Sequence, residues 1–141
     1  MGQSPDFSKI ESIVEALKPA AVEACANAHV VYSNFPVGSA LKSDNEAVFA
    51  GCNVENASYG LTICAERNAL AQAVANGVVP GSVRELLIYT PGEKAHTPCG
   101  ACRQVMQELL SDDAVIISCC DTDHQRSWGI SDLMPDPFRF S

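Results

Sequence analysis

Apolar side chains at Ile10, Ile13, Val14, Leu17, Ala20, Ala21 and Ala24 recur at steps of three and four, which predicts an amphipathic helix over Ser8 to Ala28. Pro19 falls inside that stripe; it has no N–H to donate and its ring crowds the preceding turn, so a kink or break is expected there. His29 to Pro36 reads as a loop because Ser33, Asn34 and Pro36 resist regular structure. Two strands follow, Val37 to Lys42 and Ala47 to Glu55, and the turn formers Ser43, Asp44 and Asn45 between them predict a hairpin. A loop from Asn56 to Leu61 leads into an alanine-rich helix that stops near Asn76 and Gly77. Val83 to Thr90 is a core strand, about Pro98 to Leu110 a further helix and Ala114 to Cys120 another strand, with a short, mixed remainder. Strands alternating with helices in this way predict a layered α/β sandwich.

Composition narrows the class. A chain of 141 residues with 47% hydrophobic content suits one domain, residues 1–141. Nine basic residues against 17 acidic ones give a net charge of −8, which repels a phosphate backbone and argues against nucleic acid as a partner. No apolar run approaches the ~20 residues of a membrane-spanning helix. The first residues lack the apolar core of a secretory signal, and Asp6 stands where an acylation motif beginning at Gly2 needs Ser or Thr. The expectation is a cytoplasmic, reduced protein, in which the seven cysteines are metal, redox or core groups rather than disulfides.

Three of them stand apart. Cys64 opens one predicted helix with Ala65 and Glu66, and Cys99 opens another with Gly100, Ala101 and Cys102. Thr62 and Thr97 suit N-cap positions and Pro98 a first turn, which places Cys64 and Cys99 in first turns and Cys102 one turn further on. Free N–H groups and the positive end of the helix dipole favour thiolate there, the form that zinc binds. Three sulfurs are one short of a closed structural zinc site, so a water position stays open, and Glu66 is placed to carry protons from it. Three thiolates on a dication leave a net negative charge, for which Arg67 is the adjacent cation. Other readings of the same residues remain: Cys99 and Cys102 as a redox pair, a structural zinc completed by His96, or a non-catalytic zinc module that binds a protein. The redox pair leaves Cys64 and Glu66 without a role. Cys25, Cys52, Cys119 and Cys120 lack helix-start placement and read as small core residues.

Cys64-Ala65-Glu66 followed by Pro98-Cys99-Gly100-Ala101-Cys102 fits the ligand-x-Glu and Pro-Cys-x-x-Cys signature of zinc-dependent base deaminases. Phe35-Pro36-Val37-Gly38, the segment from Cys52 to Gly60, Cys64-Ala65-Glu66-Arg67 and the segment from Cys99 to Val105 extend the match. Together they resemble cytidine deaminase of the short, homotetrameric type, from about Ala20 to Phe138. The resemblance implies a single-domain, three-layer α/β/α sandwich with a mixed sheet of about five strands. It implies one Zn2+ per chain on Cys64, Cys99 and Cys102, and hydrolysis of cytidine and 2′-deoxycytidine at C4, with Glu66 shuttling protons. Asn53 and Glu55 match the pair that holds the ribose hydroxyls; otherwise they are ordinary polar residues at a strand end, two apart and therefore on one face. Phe35 matches an aromatic on the pyrimidine ring, although alone it reads as core. Phe138, Ala57 and Tyr59 match residues near a neighbouring subunit's site, and Arg67 matches a cation on the zinc thiolates. Val31 and Ser39 depart from the family's usual proline and alanine. Blasticidin deaminase shares the three-cysteine site, but Asn53-Val54-Glu55-Asn56 suits a ribose.

Overall fold

The computed structural model describes residues 4–140, so Gly2 lies outside the described residues. In chain order the elements are α1 (Ile10–Cys25), β1 (Gly38–Lys42), β2 (Val48–Cys52), α2 (Ala65–Ala75), β3 (Val83–Tyr89), α3 (Gly100–Leu109), β4 (Leu110–Cys119), β5 (Arg126–Gly129) and α4 (Ile130–Leu133). The strands form one sheet in the order β2-β1-β3-β4-β5, parallel between β3 and β4 and antiparallel elsewhere.

Side-chain alternation along the central strands creates two cores. Leu87, Tyr89, Val115 and Ile117 face Ile13, Leu17, Ala21 and Cys25 of α1. Leu86, Ile88 and Ile116 face Ala69, Leu70 and Ala73 of α2 and Cys102 and Met106 of α3. The result is the three-layer α/β/α arrangement with a mixed five-stranded sheet. Among the described residues no helix is long and apolar enough to cross a membrane.

Two glycines set the layer spacing. A β-carbon on Gly38 would lie 1.9 Å from the Ala21 carbonyl oxygen of α1, and one on Gly51 would lie 2.6 Å from the Ala69 amide nitrogen of α2. Neither position has room for a side chain.

Several boundaries differ from the sequence expectation. The first helix does not break at Pro19 and runs through it to Cys25, preceded by a short 3-10 turn at Phe7–Lys9. Pro19 lies on the solvent side, where water can take the carbonyl freed by its missing N–H, while Leu17 and Ala21 hold the opposite face in the core. The second strand stops at Cys52 instead of Glu55. Beyond it Val54 leaves the sheet to bridge His29 on one side and Ile63 on the other. β4 starts directly after α3 at Leu110, with a bulge before its regular pairing to β3 resumes at Val115. The remainder contributes an edge strand, β5, and the short helix α4.

Candidate active site

Two helices start side by side on one face of the sheet. Cys64 and Cys99 are not in first turns, as Thr caps would require, but occupy the N-cap positions themselves with extended backbone. The Cys99 sulfur accepts the Cys102 N–H at 3.5 Å and so serves as the cap. The two threonines are engaged elsewhere: the Thr62 hydroxyl accepts the Asn56 N–H and the Thr97 hydroxyl accepts from Arg126. Pro98 sits just before the helix, its carbonyl accepting from Arg103 Nε at 2.8 Å.

The sulfurs of Cys64, Cys99 and Cys102 all lie within 4.8 Å of one another and form the sole such cluster of metal-ligating groups among the described residues. Cys102 is fully buried and Cys99 exposed. Arg67 donates to Cys64 Sγ at 3.1 Å. A hydrogen bond from Cys102 and then the Arg67 guanidinium hold the Cys64 thiol well below its ordinary pKa, while that same bond and burial push Cys102 up. This donor set fits zinc: soft sulfurs at ligand spacing, one already favoured as thiolate, and a cation to balance the third negative charge. His96 is not part of the cluster; its ring meets Phe35 edge to face, with centroids 5.1 Å apart.

Glu66, on the first turn of α2, is 5% exposed. Burial raises its carboxyl above the ordinary range, and the neighbouring Cys64 thiolate adds to that. Cys64, Cys99 and Glu66 line a cavity of about 440 Å³ whose walls also carry Ser33, Phe35, Asn53, Glu55, Thr90 and His96. Asn53 and Glu55 share this cavity although they lie past the end of the strand. Asn53 Oδ1 accepts the Val37 N–H at 2.9 Å and its Nδ2 donates to the Phe35 carbonyl at 2.8 Å. Glu55 Oε1 accepts the N–H groups of Tyr32 and Ser33, each at 3.0 Å, and Oε2 accepts the Ser33 hydroxyl. These bonds, led by the Ser33 hydroxyl, hold the Glu55 carboxyl below its ordinary pKa.

Three expected site residues are not on this cavity within one chain. Tyr59 is 77% exposed and meets Tyr32 edge to face, Ala57 is exposed, and Phe138 is 73% exposed with its carbonyl accepting from Gln104. Ser33 is a cavity residue that sequence reasoning did not single out, and His96, weighed there as a fourth zinc ligand, instead lines the cavity wall. Their signals were proximity to Phe35 and to Cys99, which ordinary loop residues share.

A family model described as the cytidine and deoxycytidylate deaminase zinc-binding region matches residues 11–119. The chain belongs to this family. Cytidine deaminase of Halalkalibacterium halodurans is 42% identical over 119 residues, 84% of this chain and 88% of that protein. Cytidine deaminase of Sporosarcina psychrophila is 44% identical over 98 residues, 70% of this chain and 71% of that one. Among solved structures, cytidine deaminase from Burkholderia pseudomallei is similar with a TM-score of 0.83 and 44% identity, covering 88% of this chain and 98% of its own. That from Mycobacterium tuberculosis has a TM-score of 0.72 at 35% identity, covering 89% and 97%. Family membership thus assigns the three-sulfur cluster to a zinc-binding region and the chain to a family of deaminating hydrolases.

Proposed function

We propose that this chain, acting as one catalytic unit over residues 1–141, hydrolyses cytidine and 2′-deoxycytidine to uridine and 2′-deoxyuridine with release of ammonia. The carrying observation is that buried Glu66 and two of three convergent sulfurs line one cavity together with Phe35, Asn53 and Glu55. Cys64, Cys99 and Cys102 would hold one Zn2+ per chain, with Arg67 compensating the excess negative charge. When bound there, zinc supplies an open position for water and lowers the pKa of that water to near 7.

The protein's own residues carry the remaining steps. Glu66 takes a proton from the attacking water and delivers it to N3 of the pyrimidine. It then carries a proton to the amino group leaving C4. Burial raises its carboxyl above the ordinary range, which favours the protonated form that the transfer to the pyrimidine requires. Phe35 packs on the pyrimidine ring. Asn53 and Glu55 bind the ribose hydroxyls; an ionised carboxylate has about four acceptor positions, and three are used by the loop, so one is left for the sugar.

Ala57, Tyr59 and Phe138 belong to a homotetramer in which neighbouring subunits complete each other's sites. The exposure of the large apolar side chains Tyr59, Leu61, Val31 and Phe138 supports an assembly that covers them. Net charge of −8 supports a nucleoside over a nucleic-acid substrate, and seven free cysteines support the reducing cytoplasm; a place in pyrimidine salvage follows from the proposed substrates. The test is metal analysis together with turnover of cytidine, deoxycytidine, cytosine and CMP. One zinc per chain and ammonia release from the two nucleosides are expected; a fully loaded protein that turns over neither overturns the function.

A further inference from the structure

The hydroxyl of Ser33, on the cavity wall, links two other cavity residues. Its O–H donates to Glu55 Oε2, and its oxygen accepts the Phe35 N–H at 3.0 Å. The Ser33 backbone N–H reaches the other carboxylate oxygen at 3.0 Å, joined there by the Tyr32 N–H at 3.0 Å. The Ser33 hydroxyl is thus the only side-chain partner of Glu55 among the described residues, and the sole hydrogen-bonded partner of Oε2. Without it Oε2 has no partner, and the carboxylate, whose last side-chain torsion is soft, is held through Oε1 alone by the two backbone N–H groups. The Phe35 N–H loses its acceptor in the same stroke.

We propose that Ser33 is a positioning residue that sets the Glu55 carboxylate for the sugar hydroxyls and Phe35 for the base in one register, and so determines recognition of a hydroxyl-bearing sugar. This rests on the nucleoside reading above. Ser33 itself need not touch the substrate: its effect passes through Glu55 and Phe35. Losing it costs binding that is common to ground and transition states, and KM therefore responds more than kcat.

The experiment compares zinc-loaded wild type with Ser33→Ala, Ser33→Thr, Ser33→Val, Glu55→Gln and the Ser33→Ala/Glu55→Gln pair, on cytidine and on 2′,3′-dideoxycytidine. Ser33→Ala is expected to raise KM for cytidine about tenfold, the factor that ~1.4 kcal/mol of lost binding represents, with kcat within about twofold. Ser33→Thr restores the hydroxyl and brings KM back to within about threefold of wild type, whereas the isosteric Ser33→Val does not. If Ser33→Ala does not fold, the Thr and Val variants decide the matter by the same difference. The double variant is expected to be worse than Glu55→Gln alone by less than the Ser33→Ala factor, the remainder being the part that passes through Phe35, and the Ser33→Ala penalty to shrink on the dideoxynucleoside. Equal KM for Thr and Val variants, penalties that simply multiply in the double variant, or an undiminished penalty on the dideoxynucleoside each overturn the proposal while wild-type turnover stands. Wild type that does not act on cytidine overturns the functional reading and this inference with it.

Discussion

Replacing Gly51 by alanine probes whether the distance between sheet and metal-bearing helix controls the chemistry. The added β-carbon would sit 2.6 Å from the Ala69 amide nitrogen, 2.8 Å from the Ala65 carbonyl oxygen and 2.9 Å from the Asn68 β-carbon. Two of these are helix backbone, which cannot rotate away, and α2 must recede by roughly 0.8 Å before the closest pair reaches van der Waals separation. Receding also stretches the 2.7 Å hydrogen bond from Asn68 Nδ2 to the Cys52 carbonyl, which ties helix to strand. Overpacking of this kind costs about 1–3 kcal/mol, or roughly 3–12 °C of thermal midpoint for a chain of this size. Cys64 and Glu66 travel with the helix start, and a displacement approaching 1 Å lowers turnover by roughly ten- to a hundredfold. Thermal unfolding and steady-state cytidine kinetics on zinc-loaded protein measure both. Gly100→Ala is the control: nothing lies within 4 Å of its added β-carbon, and a helical alanine there keeps or slightly raises the midpoint. A Gly51→Ala protein with unchanged midpoint and turnover would refute the spacing argument.

Glu66→Gln is expected to retain zinc and lose turnover by roughly 10²–10⁴, since the sulfurs remain and the proton carrier does not; metal analysis beside the rate assay separates the two, and undiminished turnover removes Glu66 from the mechanism. Arg67→Gln deletes the cation at Cys64 Sγ and is expected to weaken zinc binding by about tenfold or more, read by chelator competition; equal retention would mean the guanidinium does not compensate the thiolates. Asp121 accepts the Gly92 N–H and the Tyr89 hydroxyl, and these bonds hold its carboxyl below the ordinary range. Its folded pKa is the lower one, so its contribution is fully present above the unfolded value of about 4 and disappears as pH falls through the folded value. Asp121→Asn is therefore expected to lower the thermal midpoint at pH 7, with a gap that closes in more acidic buffer; a pH-independent gap contradicts this account.

The elements whose logic is local were legible in the sequence. The stripe through Ile13, Leu17 and Ala21 located α1, and the Ser43 to Asn45 turn located the hairpin. Pro19 misled because sequence does not show which way a residue faces, and on the solvent side a proline costs less than the expected break assumes. Asn53-Val54-Glu55 continues a strand's alternation, yet pairing partners decide where a strand ends, and His29 and Ile63 draw Val54 off the sheet. Thr62 and Thr97 are good N-caps by type, but the Cys99 sulfur reaches the free N–H itself. β5 has four residues and exists through its pairing with β4, which no local pattern announces. At the site, the helix-start cysteines and Glu66 were readable because spacing alone brings two of the sulfurs close. Ser33 and His96 reach the cavity from two separate loops, one after α1 and one after β3, and the proposed roles of Tyr59 and Phe138 rest on the proposed tetramer.

The Asn53 side chain shows how polarity in such a pocket can be decided in advance. An amide looks nearly the same either way round, yet here the Val37 N–H requires oxygen on one side and the Phe35 carbonyl requires nitrogen on the other. A flipped rotamer would set donor against donor and acceptor against acceptor, so the main chain fixes which edge of the amide is which before any ligand arrives. The unused N–H and lone pair are consequently sorted in space, and under the proposed function a sugar hydroxyl would meet a donor and an acceptor at settled positions. Little reorganisation is left to be done on binding. An aspartate in this place, isosteric but without the N–H, would turn a carboxylate oxygen toward the Phe35 carbonyl and release the very loop that carries the aromatic ring.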